Sequence, residues 1–505
     1  MLKKYDVKSP SNKDNDLTKP FPFNLMFKTT IGPEGNSVGY LRPETAQGLF
    51  VNFRRLLDYN LCKMPFAASQ IGLGFRNEIS PRNGLLRVRE FCMAEIEHFV
   101  NPKDKAHPKF SRVAEKKLVL FPANAQLETG RTVEITIGEA VAAGIVNNET
   151  LGYFMARTQM WLEKIGVNPL KMRFRQHLRT EMAHYAADCW DMEINLSYGW
   201  IECVGHADRA CYDLQQHSKR TGVSMQAAEV LPAQVTVEKF IAEPVKKLLG
   251  PRFKTDQKKV MEALEALENE EAEQLQRDLE ANGRALVEGF EITPDIVSFK
   301  KEKKTISELK YTPSVIEPSY GIGRILYAVL EHAFSQRDGA EERCVMSFKP
   351  SVAPIKVGIY RLLSNASFNP IISEIREMLQ AVDISNRVDS SAGTIGRRYA
   401  RSDELGIPFA VTVDFDTLLD NSVTVRDRDS MTQVRVAIPN LVVLMQQLVG
   451  EKITWSTVLS RYTVVSMTSG EDEDAKADNK AAAAPARTTV VQKCTRAAFS
   501  RPAAL

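Results

Sequence analysis

The stretch FRNEISPRNGLLRVREF, residues 75–91, decides the fold, because it surrounds one short polar turn with arginines, carboxylates and an aromatic ring. Pro81 and Gly84 supply turn chemistry, so the stretch predicts a β-hairpin. Side chains alternate between the two faces of a strand, which would place Arg76 and Glu78 on one face as the chain enters the turn.

The residues after the turn divide by the same alternation into two faces. One face is apolar and would lie against a core: Val88, Cys92, Ala94, Ile96 and Val100. The opposite face carries charge and a ring: Arg87, Arg89, Phe91, Met93, Glu95 and Glu97. Burial of such charges is costly without a polar ligand, so this face predicts a nucleotide site. A solvated side of a sheet is the alternative.

A second segment, PSVIEPSYGIGRILYAVLEHAF at residues 313–334, predicts a strand followed by a helix. Pro318 indicates that the strand ends there or lies in an unusual place. Gly321 and Gly323 allow close backbone approach at the helix start, and Arg324 in the first turn could face a phosphate together with the helix amides. Ordinary helix packing is the alternative. The predicted buried stripe is Ile322, Ile325, Leu326, Val329, Leu330 and Phe334.

Length and composition set broad limits. The 505 residues allow about three domains. A net charge of +3 is too small to indicate indiscriminate nucleic-acid binding, so any RNA contact would need local basic patches. Seven cysteines without a Cys-x-x-Cys pair indicate reduced thiols in an intracellular compartment. His177 and His184 could be a pair of metal ligands, although packing or surface histidines are the preferred interpretation. No apolar run could span a bilayer, and the start resembles no targeting signal, which favours the cytoplasm, with a mitochondrial form as the alternative.

Composition changes along the chain predict its organisation. A first core domain would occupy residues 1–347, with insertions at about 101–181 and 210–310. The first insertion has helical patterns, and the second contains VMEALEALENEEAEQLQRDLEANG, which predicts one exposed amphipathic helix ended by Gly283. Residues 348–463 alternate strand and helix patterns, typical of an α/β domain with a mixed sheet. Residues 464–505 have biased composition and should be disordered.

The two quoted segments resemble motifs 2 and 3 of class II aminoacyl-tRNA synthetases. Within that class, their residues resemble those of the eukaryotic and archaeal glycyl-tRNA synthetase family. The resemblance extends over most of the chain to roughly Tyr462, and its other motifs are GYLRPETAQGLF (39–50), AHYAADCWD (183–191), SYGWIECVGHADR (197–209) and VDSSAGTIGRRYARSDELG (388–406). It implies an α/β (α+β) fold, in which an antiparallel catalytic sheet with helical insertions precedes a mixed-sheet anticodon-binding domain.

The resemblance also implies a function: glycine and ATP would form glycyl-adenylate, and the glycyl group would pass to tRNA(Gly). Carried over to this chain, Arg76 and Arg324 are the catalytic residues, and Glu202 is the ligand of Mg²⁺. The implied ATP site is Arg76, Asn77, Glu78, Arg87, Val88, Phe91, Glu202, Cys203 and Arg324. The implied glycine site is Glu44, Glu95, Glu317, Pro318 and Ser319. The implied tRNA contacts are Arg397, Arg398, Arg401, Arg426 and Arg428, of which two or three could equally be surface or ion-pairing residues.

Motif 1 of the class II synthetases, which builds much of their dimer interface, has no counterpart in this sequence. We therefore expect unpaired sheet edges, an incomplete apolar dimer face and little activity of the chain by itself. The homodimer of the family is doubtful for this chain, which would be either a truncated form or a genuine short paralogue. The competing function is a non-catalytic RNA-binding or regulatory relative.

Overall fold

The computed structural model describes residues 6–9, 14–17, 22–183, 185–267, 269–337 and 339–465. The strands, in chain order, are β1 Lys28–Ile31, β2 Ser37–Tyr40, β3 Phe66–Phe75, β4 Glu90–Val100, β5 Lys117–Phe121, β6 Val133–Thr136, β7 Met172–Gln176, β8 Asp188–Leu196, β9 Gly199–Asp208, β10 Ala227–Pro244, β11 Ala285–Val287, β12 Phe290–Ile292, β13 Val297–Tyr311, β14 Ser314–Gly321, β15 Phe334–Arg337, β16 Ala340–Met346, β17 Val357–Arg361, β18 Asn386–Asp389, β19 Phe409–Val413, β20 Ser422–Asp427, β21 Gln433–Ala437 and β22 Thr463–Val465.

The α-helices, in the same order, are α1 Ala46–Val51, α2 Phe53–Tyr59, α3 Ala123–Glu128, α4 Ile137–Ala142, α5 Glu149–Lys164, α6 Tyr212–Thr221, α7 Lys246–Phe253, α8 Gln257–Glu265, α9 Asn269–Asn282, α10 Ile322–Ala333, α11 Asn369–Gln380, α12 Ile395–Glu404, α13 Thr417–Asp420, α14 Ile438–Val449 and α15 Trp455–Arg461. None of the helices in the described ranges has the length and apolarity that crossing a bilayer requires.

The described residues divide into two compact units. The first unit draws on Met1–Asn52, Ala67–Asp213 and Ser314–Leu505, and the second on Phe53–Phe66 and Leu214–Pro313. The mixture of antiparallel and mixed sheets with helices confirms the predicted fold class. The predicted domain boundaries stay a prediction, and the tail from residue 466 onward lies outside the described residues.

Eight described strands of the first unit form one sheet in the order β3-β4-β14-β9-β8-β7-β5-β6. From β4 to β7 the neighbouring strands are antiparallel, and β5 lies parallel to β7. Helix α5 covers one face, where Thr158 bonds both His206 and Tyr320. The segment 101–181 contains the predicted helices, but it also supplies β5, β6 and β7 to this sheet. It is therefore part of the sheet rather than only a helical insertion.

The hairpin predicted from residues 75–91 is longer and less regular than expected. Strand β3 ends at Phe75 and β4 begins at Glu90, and a short 3₁₀ helix, Gly84–Leu86, lies between them. Asn83 and Gly84 both have positive φ, so the chain turns there without a regular ladder. The charged residues from 76 to 89 are therefore in a loop, and strand alternation was the wrong argument for them.

Alternation does hold within β4, but both of its faces are covered. His98, on the face toward α5, makes a ring contact with Phe154 at 5.4 Å between centroids. On the opposite face Met93, Glu95 and Glu97 are buried as well. The alternative of a solvated face is therefore wrong for this strand.

Two further predictions about local structure need correction. Strand β14 continues through Pro318 to Gly321 and pairs with β9 from Ile316 to Tyr320. Its pairing with β4 is interrupted at Glu317 and Pro318, where proline offers no N–H. Helix α10 follows as predicted, but Leu326 and Leu330 are exposed and lie outside the buried stripe, and Phe334 is the first residue of β15.

The second unit contains the long antiparallel pair β10–β13 and the helices α7, α8 and α9. The single exposed helix predicted here is two helices, because α8 ends at Glu265 and α9 begins at Asn269. Gly283, with φ of 67°, follows the end of α9 as predicted. Apolar residues of both helices are buried with β11 and β12: Val260, Ala263, Leu264, Ala272, Leu275, Leu279, Val287 and Ile292.

The C-terminal part of the first unit has a second sheet, in the order β18-β17-β19-β20-β21-β22. Strand β17 is parallel to β18 and β19, and the remaining neighbours are antiparallel. Helices α11 and α14 contribute apolar residues to its core, including Ile375 and Leu441. The predicted mixed sheet with helices is present.

Candidate active site

A cavity of about 520 Å³ opens on the face of the eight-stranded sheet that lies away from α5. Its floor comes from β4, β14, β9 and β8, and its rim from the loop between β3 and β4 and from the start of α10. Gly205 and Ala207 on β9 have almost no side chain, so little projects from the middle of this floor into the cavity. Gly74 on β3 leaves room for the ring of Phe91, since a Cβ there would lie 2.7 Å from a ring carbon.

Two arginines lie at the end of the cavity where the sequence predicts a nucleotide, here called the nucleotide end. The Nε of Arg76 donates to the carbonyl of Pro43 at 3.4 Å, and its guanidinium lies 5.4 Å from the centroid of the Phe91 ring. Arg324 donates from Nε to the carbonyl of Leu86 and from Nη1 to the carbonyl of Glu202. The guanidinium of Arg324 thereby connects the loop after β3 with β9, and both cations line the cavity.

The start of α10 lies against β9 because residue 321 is a glycine. A Cβ at Gly321 would lie 3.3 Å from the carbonyl oxygen of Cys203, which is tighter than an ordinary contact. The close approach lets Arg324, in the first turn of α10, reach Glu202 on β9, with 3.7 Å between Nη1 and Oε2. This is the close backbone approach that the Gly-x-Gly-Arg sequence predicted.

The other end of the cavity is acidic. Glu95 is buried, and its Oε2 accepts from the backbone N–H groups of Thr45 and Ala46 at 2.6 and 2.9 Å, at the start of α1. Its Oε1 accepts from the hydroxyl of Ser319 at 3.1 Å. Four donors in total, including the Thr45 hydroxyl, fix this carboxylate. It is a rigid acceptor whose position depends on β4, β14 and α1 together.

Arg209 is the cation that joins this acidic group, and the sequence analysis missed it. It donates to Glu317 at 2.6 Å and makes two bonds to Asp213 at 2.8 and 3.0 Å. Glu44 lies 3.7 Å away, and the ring of Tyr185 lies 4.6 Å from the guanidinium. Arg209 lies between β9 and α6, and no local spacing pairs it with the distant Glu317, so the sequence offered no signal for this contact.

The electrostatics of this end favour a cationic ligand. Burial, together with the charges of Glu95 and Glu44, raises the pKa of Glu317 to about 7 against the opposing effect of Arg209. Three carboxylates that line the cavity thus face one guanidinium, which also holds Asp213. A positive group entering here would relieve the repulsion between like charges.

A third cluster lies on the sheet floor between the two ends. Nε2 of His177 contacts Oδ2 of Asp191 at 2.8 Å, which raises the pKa of this histidine, and Arg175 contacts the same carboxylate at 3.3 Å. Burial and the charge of Asp191 raise the pKa of Glu202, although half of its side-chain surface stays open to the cavity. Neither His177 nor Asp191 was among the residues predicted for the nucleotide site.

The donor set of this third cluster bears on the predicted metal. His177, Cys189 and Asp191 lie within 4.8 Å of one another, but burial raises the pKa of the Cys189 thiol, which disfavours the thiolate that a soft metal would need. Oxygen ligands suit Mg²⁺, and the Glu202 carboxylate is accessible and repelled by Asp191. The residues therefore fit magnesium at Glu202. His184, the other half of the predicted histidine pair, lies outside the described residues.

Most of the predicted site residues share this cavity. Those that line it are Glu44, Arg76, Glu78, Arg87, Val88, Phe91, Glu95, Glu202, Cys203, Glu317, Ser319 and Arg324. Asn77 does not, because its side chain donates to the carbonyl of Asn24 at 3.1 Å and its backbone N–H bonds Leu25. Pro318 faces the opposite side of β14 from Glu317 and Ser319, since strand neighbours alternate. Both assignments to the site are therefore corrected.

The predicted tRNA contacts divide into two groups. Arg398, Arg426 and Arg428 are buried, and their guanidiniums bond carbonyls or carboxylates of the domain itself. No guanidinium surface remains for a phosphate, so the prediction is wrong for these three, and the ion-pairing alternative applies. Arg397 and Arg401 on α12 are exposed, and for them RNA contact stays a prediction.

The chain is similar to known proteins both in its C-terminal domain and over most of its length. Residues 351–448 match the family model described as anticodon binding domain. Over 468 residues the chain is 52% identical to glycine–tRNA ligase of Caenorhabditis elegans and 51% identical to that of Bombyx mori, in both cases 92% of the chain and 63% of the relative. It is 44% identical over 461 residues to glycine–tRNA ligase of Methanocaldococcus jannaschii, 89% of the chain and 79% of the relative. The chain thus spans 63% of the length of the first two relatives.

Proposed function

The chain belongs to the glycine–tRNA ligase family, and from this premise we propose that it activates glycine with ATP and transfers the glycyl group to tRNA(Gly). One observation carries the proposal: a single cavity has two guanidiniums, Arg76 and Arg324, at one end and the carboxylates of Glu95 and Glu317 at the other. Such a cavity can hold a polyphosphate and an ammonium group at the same time.

In the first step a carboxylate oxygen of glycine attacks the α-phosphorus of ATP, and pyrophosphate leaves. Two anions must meet, so the site has to align them and neutralise the charge that develops, and no protein nucleophile is required. The planar fork of Arg76 can serve an oxygen of each anion at once. Its accessible position above Phe91 leaves that fork free to turn toward both.

The remaining groups of the nucleotide end would hold ATP in place. Phe91 offers one face of its ring to the adenine, and Arg324 would cover the other face of the base. Glu78 would accept from the adenine amino group, and the exposed Arg87 would reach the γ-phosphate. Glu202 would hold Mg²⁺, which would neutralise charge on the phosphates of ATP.

Recognition of glycine would be a matter of exclusion. The ammonium would lie among Glu44, Glu95 and Glu317, where like charges already repel one another. The hydroxyl of Ser319 is held by Glu95 and occupies the space into which a larger side chain would extend. A pocket of fixed size rejects larger substrates by steric clash.

Transfer requires a tRNA, which the C-terminal domain would bind through its anticodon. Support comes from the match of residues 351–448 to an anticodon binding domain and from the exposed arginines of α12, Arg397 and Arg401. We propose the cytoplasm as the compartment, and fluorescence imaging of the tagged protein would test it, since one yeast relative carries the name mitochondrial.

Glycine-dependent exchange of pyrophosphate into ATP tests the first step. We expect exchange by the wild type and a loss of at least about 100-fold in Arg76→Ala, as for the removal of a single charge-stabilising donor. Arg82→Ala is the matched control, because Arg82 lies in the same loop, is exposed and is not part of the cavity wall. Near-normal exchange by Arg76→Ala would contradict the assignment of Arg76. A wild-type chain that binds tRNA without any exchange would instead support the non-catalytic alternative.

A further inference from the structure

Glu97 is a buried carboxyl group that the proposed mechanism leaves unused. It lies on β4 two residues after Glu95, on the same face of the sheet as the cavity, and it has 0% exposure. Neither of its oxygens has a hydrogen-bond partner among the described residues. It is not part of the cavity wall, so it lies beneath the amino-acid pocket rather than in it.

The register of the sheet places Glu97 opposite Glu317. Ser319 pairs with Glu95 and Ile316 pairs with His98, so Glu317 is the position across from Glu97, where the pairing between β14 and β4 is interrupted. Directly opposite residues of an antiparallel pair project on the same face, with Cβ atoms about 5 Å apart. Two acidic side chains are therefore neighbours on the cavity side of the sheet.

The charged groups around Glu97 are mostly acidic. Glu317 faces it from β14, Glu95 from β4 and Glu44 from the segment before α1, and all three disfavour its ionisation. Arg209 opposes them, but this guanidinium already bonds Asp213 and Glu317. Burial has the largest effect, and together with these acidic neighbours it raises the pKa of Glu97 well above its ordinary value.

An ionised carboxylate without partners is too costly to bury, and a neutral acid is tolerated far better. Glu97 is therefore neutral while the pocket is empty. A cationic amino group beside Glu317 would change that balance, because a positive charge favours the ionised form of every carboxyl near it.

We propose that Glu97 is a proton-holding positioning residue of the amino-acid pocket, which keeps its proton while the pocket is empty and loses it when a cationic amino group binds beside Glu317. The inference rests on the proposed function, since it takes glycine as the occupant. The ligand stays an ammonium, Glu97 passes from acid to carboxylate, and the proton goes to solvent by way of the Glu317 carboxyl, which lines the cavity. Glu97 acts through Glu317 and does not touch the substrate.

Two ligands that differ only in the amino group allow a direct test. The first is 5′-O-(N-glycylsulfamoyl)adenosine, an uncleavable analogue of the adenylate, and the second is the acetyl analogue, which has no amino group. Calorimetric titration of the full chain near neutral pH, in two buffers of different ionisation enthalpy, gives the protons released on binding. We expect wild type to release up to about one more proton with the glycyl ligand than Glu97→Gln does. With the acetyl ligand the two proteins should agree.

Infrared difference spectra supply a second measurement that needs no variant. Addition of the glycyl ligand to the wild type should remove a carbonyl band of a protonated carboxyl group, and the acetyl ligand should leave that band in place. Glu97→Gln, which mimics the neutral acid in size, should lack the change. Loss of folding in Glu97→Gln together with an unchanged wild-type spectrum would overturn the proposal, because Glu97 would then be ionised in the empty pocket.

The outcomes separate this inference from the proposed function. If neither ligand binds, the assignment of the cavity as an adenylate site fails. If both ligands bind and wild type releases no more protons than Glu97→Gln, only the role of Glu97 fails. Glu317 is present in both proteins, and the carbonyl band that Glu97→Gln should lack assigns the additional proton to Glu97 rather than to Glu317.

Discussion

Arg209 in the cavity and Arg426 in the C-terminal domain are both buried guanidiniums, but their surroundings differ in charge balance. Arg209 is shared by Glu317, Asp213 and, at a longer distance, Glu44. Around Arg426 the ratio is reversed, since Asp403 receives two bonds from Arg426 and one from Arg337. An excess of carboxylates at a cavity favours the binding of a cationic ligand, whereas a carboxylate that is paired with two arginines stabilises the fold.

The same contrast extends to the other buried groups of the two regions. Arg428 bonds Asp429 and the carbonyls of Gly406 and Phe348, all within the chain. By contrast, Glu97 beneath the cavity has no hydrogen-bond partner among the described residues. Burial alone therefore does not distinguish a structural charge from a functional one. The balance of charge among its neighbours does, because an unbalanced buried charge costs free energy that a ligand can recover.

The largest effects on stability and on exchange are expected when Arg426 and Arg209 are each replaced by methionine. Arg426→Met should lower the free energy of unfolding by about 3 kcal/mol or more, because it removes one partner of a buried ion pair. We expect glycine-dependent pyrophosphate exchange to persist in this variant below its unfolding temperature. Arg209→Met should cost about as much stability and should also abolish exchange, since its three carboxylates would repel one another.

Urea unfolding and the exchange assay on the two variants give the measurements. Arg376→Met, on the exposed side of α11, is the control for loss of an arginine without loss of a buried pair. If Arg426→Met lost exchange while folded, or Arg209→Met kept it, charge balance would not separate the two regions.

A smaller effect concerns a buried group that carries no charge at all. His206 is fully buried and bonds Thr158 at 2.8 Å, and burial lowers its pKa to about 4. The unfolded chain protonates this histidine near pH 6.5, so its contribution to stability is present above that pH and is lost as the pH falls toward 4. The pKa difference corresponds to about 3 kcal/mol.

Glu317 works in the opposite direction, because its pKa is raised to about 7 and the folded state gains stability as the pH falls below that value. The informative quantity is therefore the difference between wild type and His206→Gln. Urea unfolding at a series of pH values should show that the wild type loses more stability than the variant between pH 6.5 and 4. Equal losses would mean that His206 is already charged in the folded protein.

The sequence predicted the elements better than the contacts between them. Strands β4 and β14 and helix α10 follow from alternation and helical spacing, which are local properties. Residues 76–89 do not continue the alternation, because β3 ends at Phe75 and β4 begins only at Glu90, with a short 3₁₀ helix between them. Local patterns cannot report which distant strand lies opposite, and for that reason Glu97 could be placed on the polar face but not opposite Glu317.

The partners of the arginines also could not be predicted from local sequence patterns. Arg426 and Arg397 belong to similar polar surroundings in the sequence, yet one bonds Asp403, 23 residues earlier in the chain, and the other is exposed on α12. Whether a guanidinium meets a carboxylate or a phosphate depends on tertiary packing. Arg209 was missed for this reason, since Glu317 lies 108 residues away in the chain.

Within the cavity, Ser319→Gly should relax the exclusion of alanine. The change opens space beside Glu95 and removes one of its four donors, so the effect should be about 1–3 kcal/mol in the ratio of alanine to glycine use. Pyrophosphate exchange with each amino acid measures that ratio. Ser319→Cys is the matched control, because its sulfur fills the space of the hydroxyl while its thiol is only a weak donor to Glu95, and it should keep the exclusion. A ratio unchanged in both variants would place the steric wall elsewhere.

The smallest expected effect concerns Arg397 on α12. As an exposed cation it should contribute to tRNA binding by roughly 0.5–1 kcal/mol, so Arg397→Ala should raise the KM for tRNA about two- to fivefold and leave glycine-dependent exchange unchanged. Contact with a phosphate should also make the salt dependence of tRNA binding less steep in the variant. Arg376→Ala, an exposed arginine on a different helix of the same domain, is the control. If both variants changed the KM equally, general charge rather than a specific contact would explain binding, and α12 would not be the RNA surface.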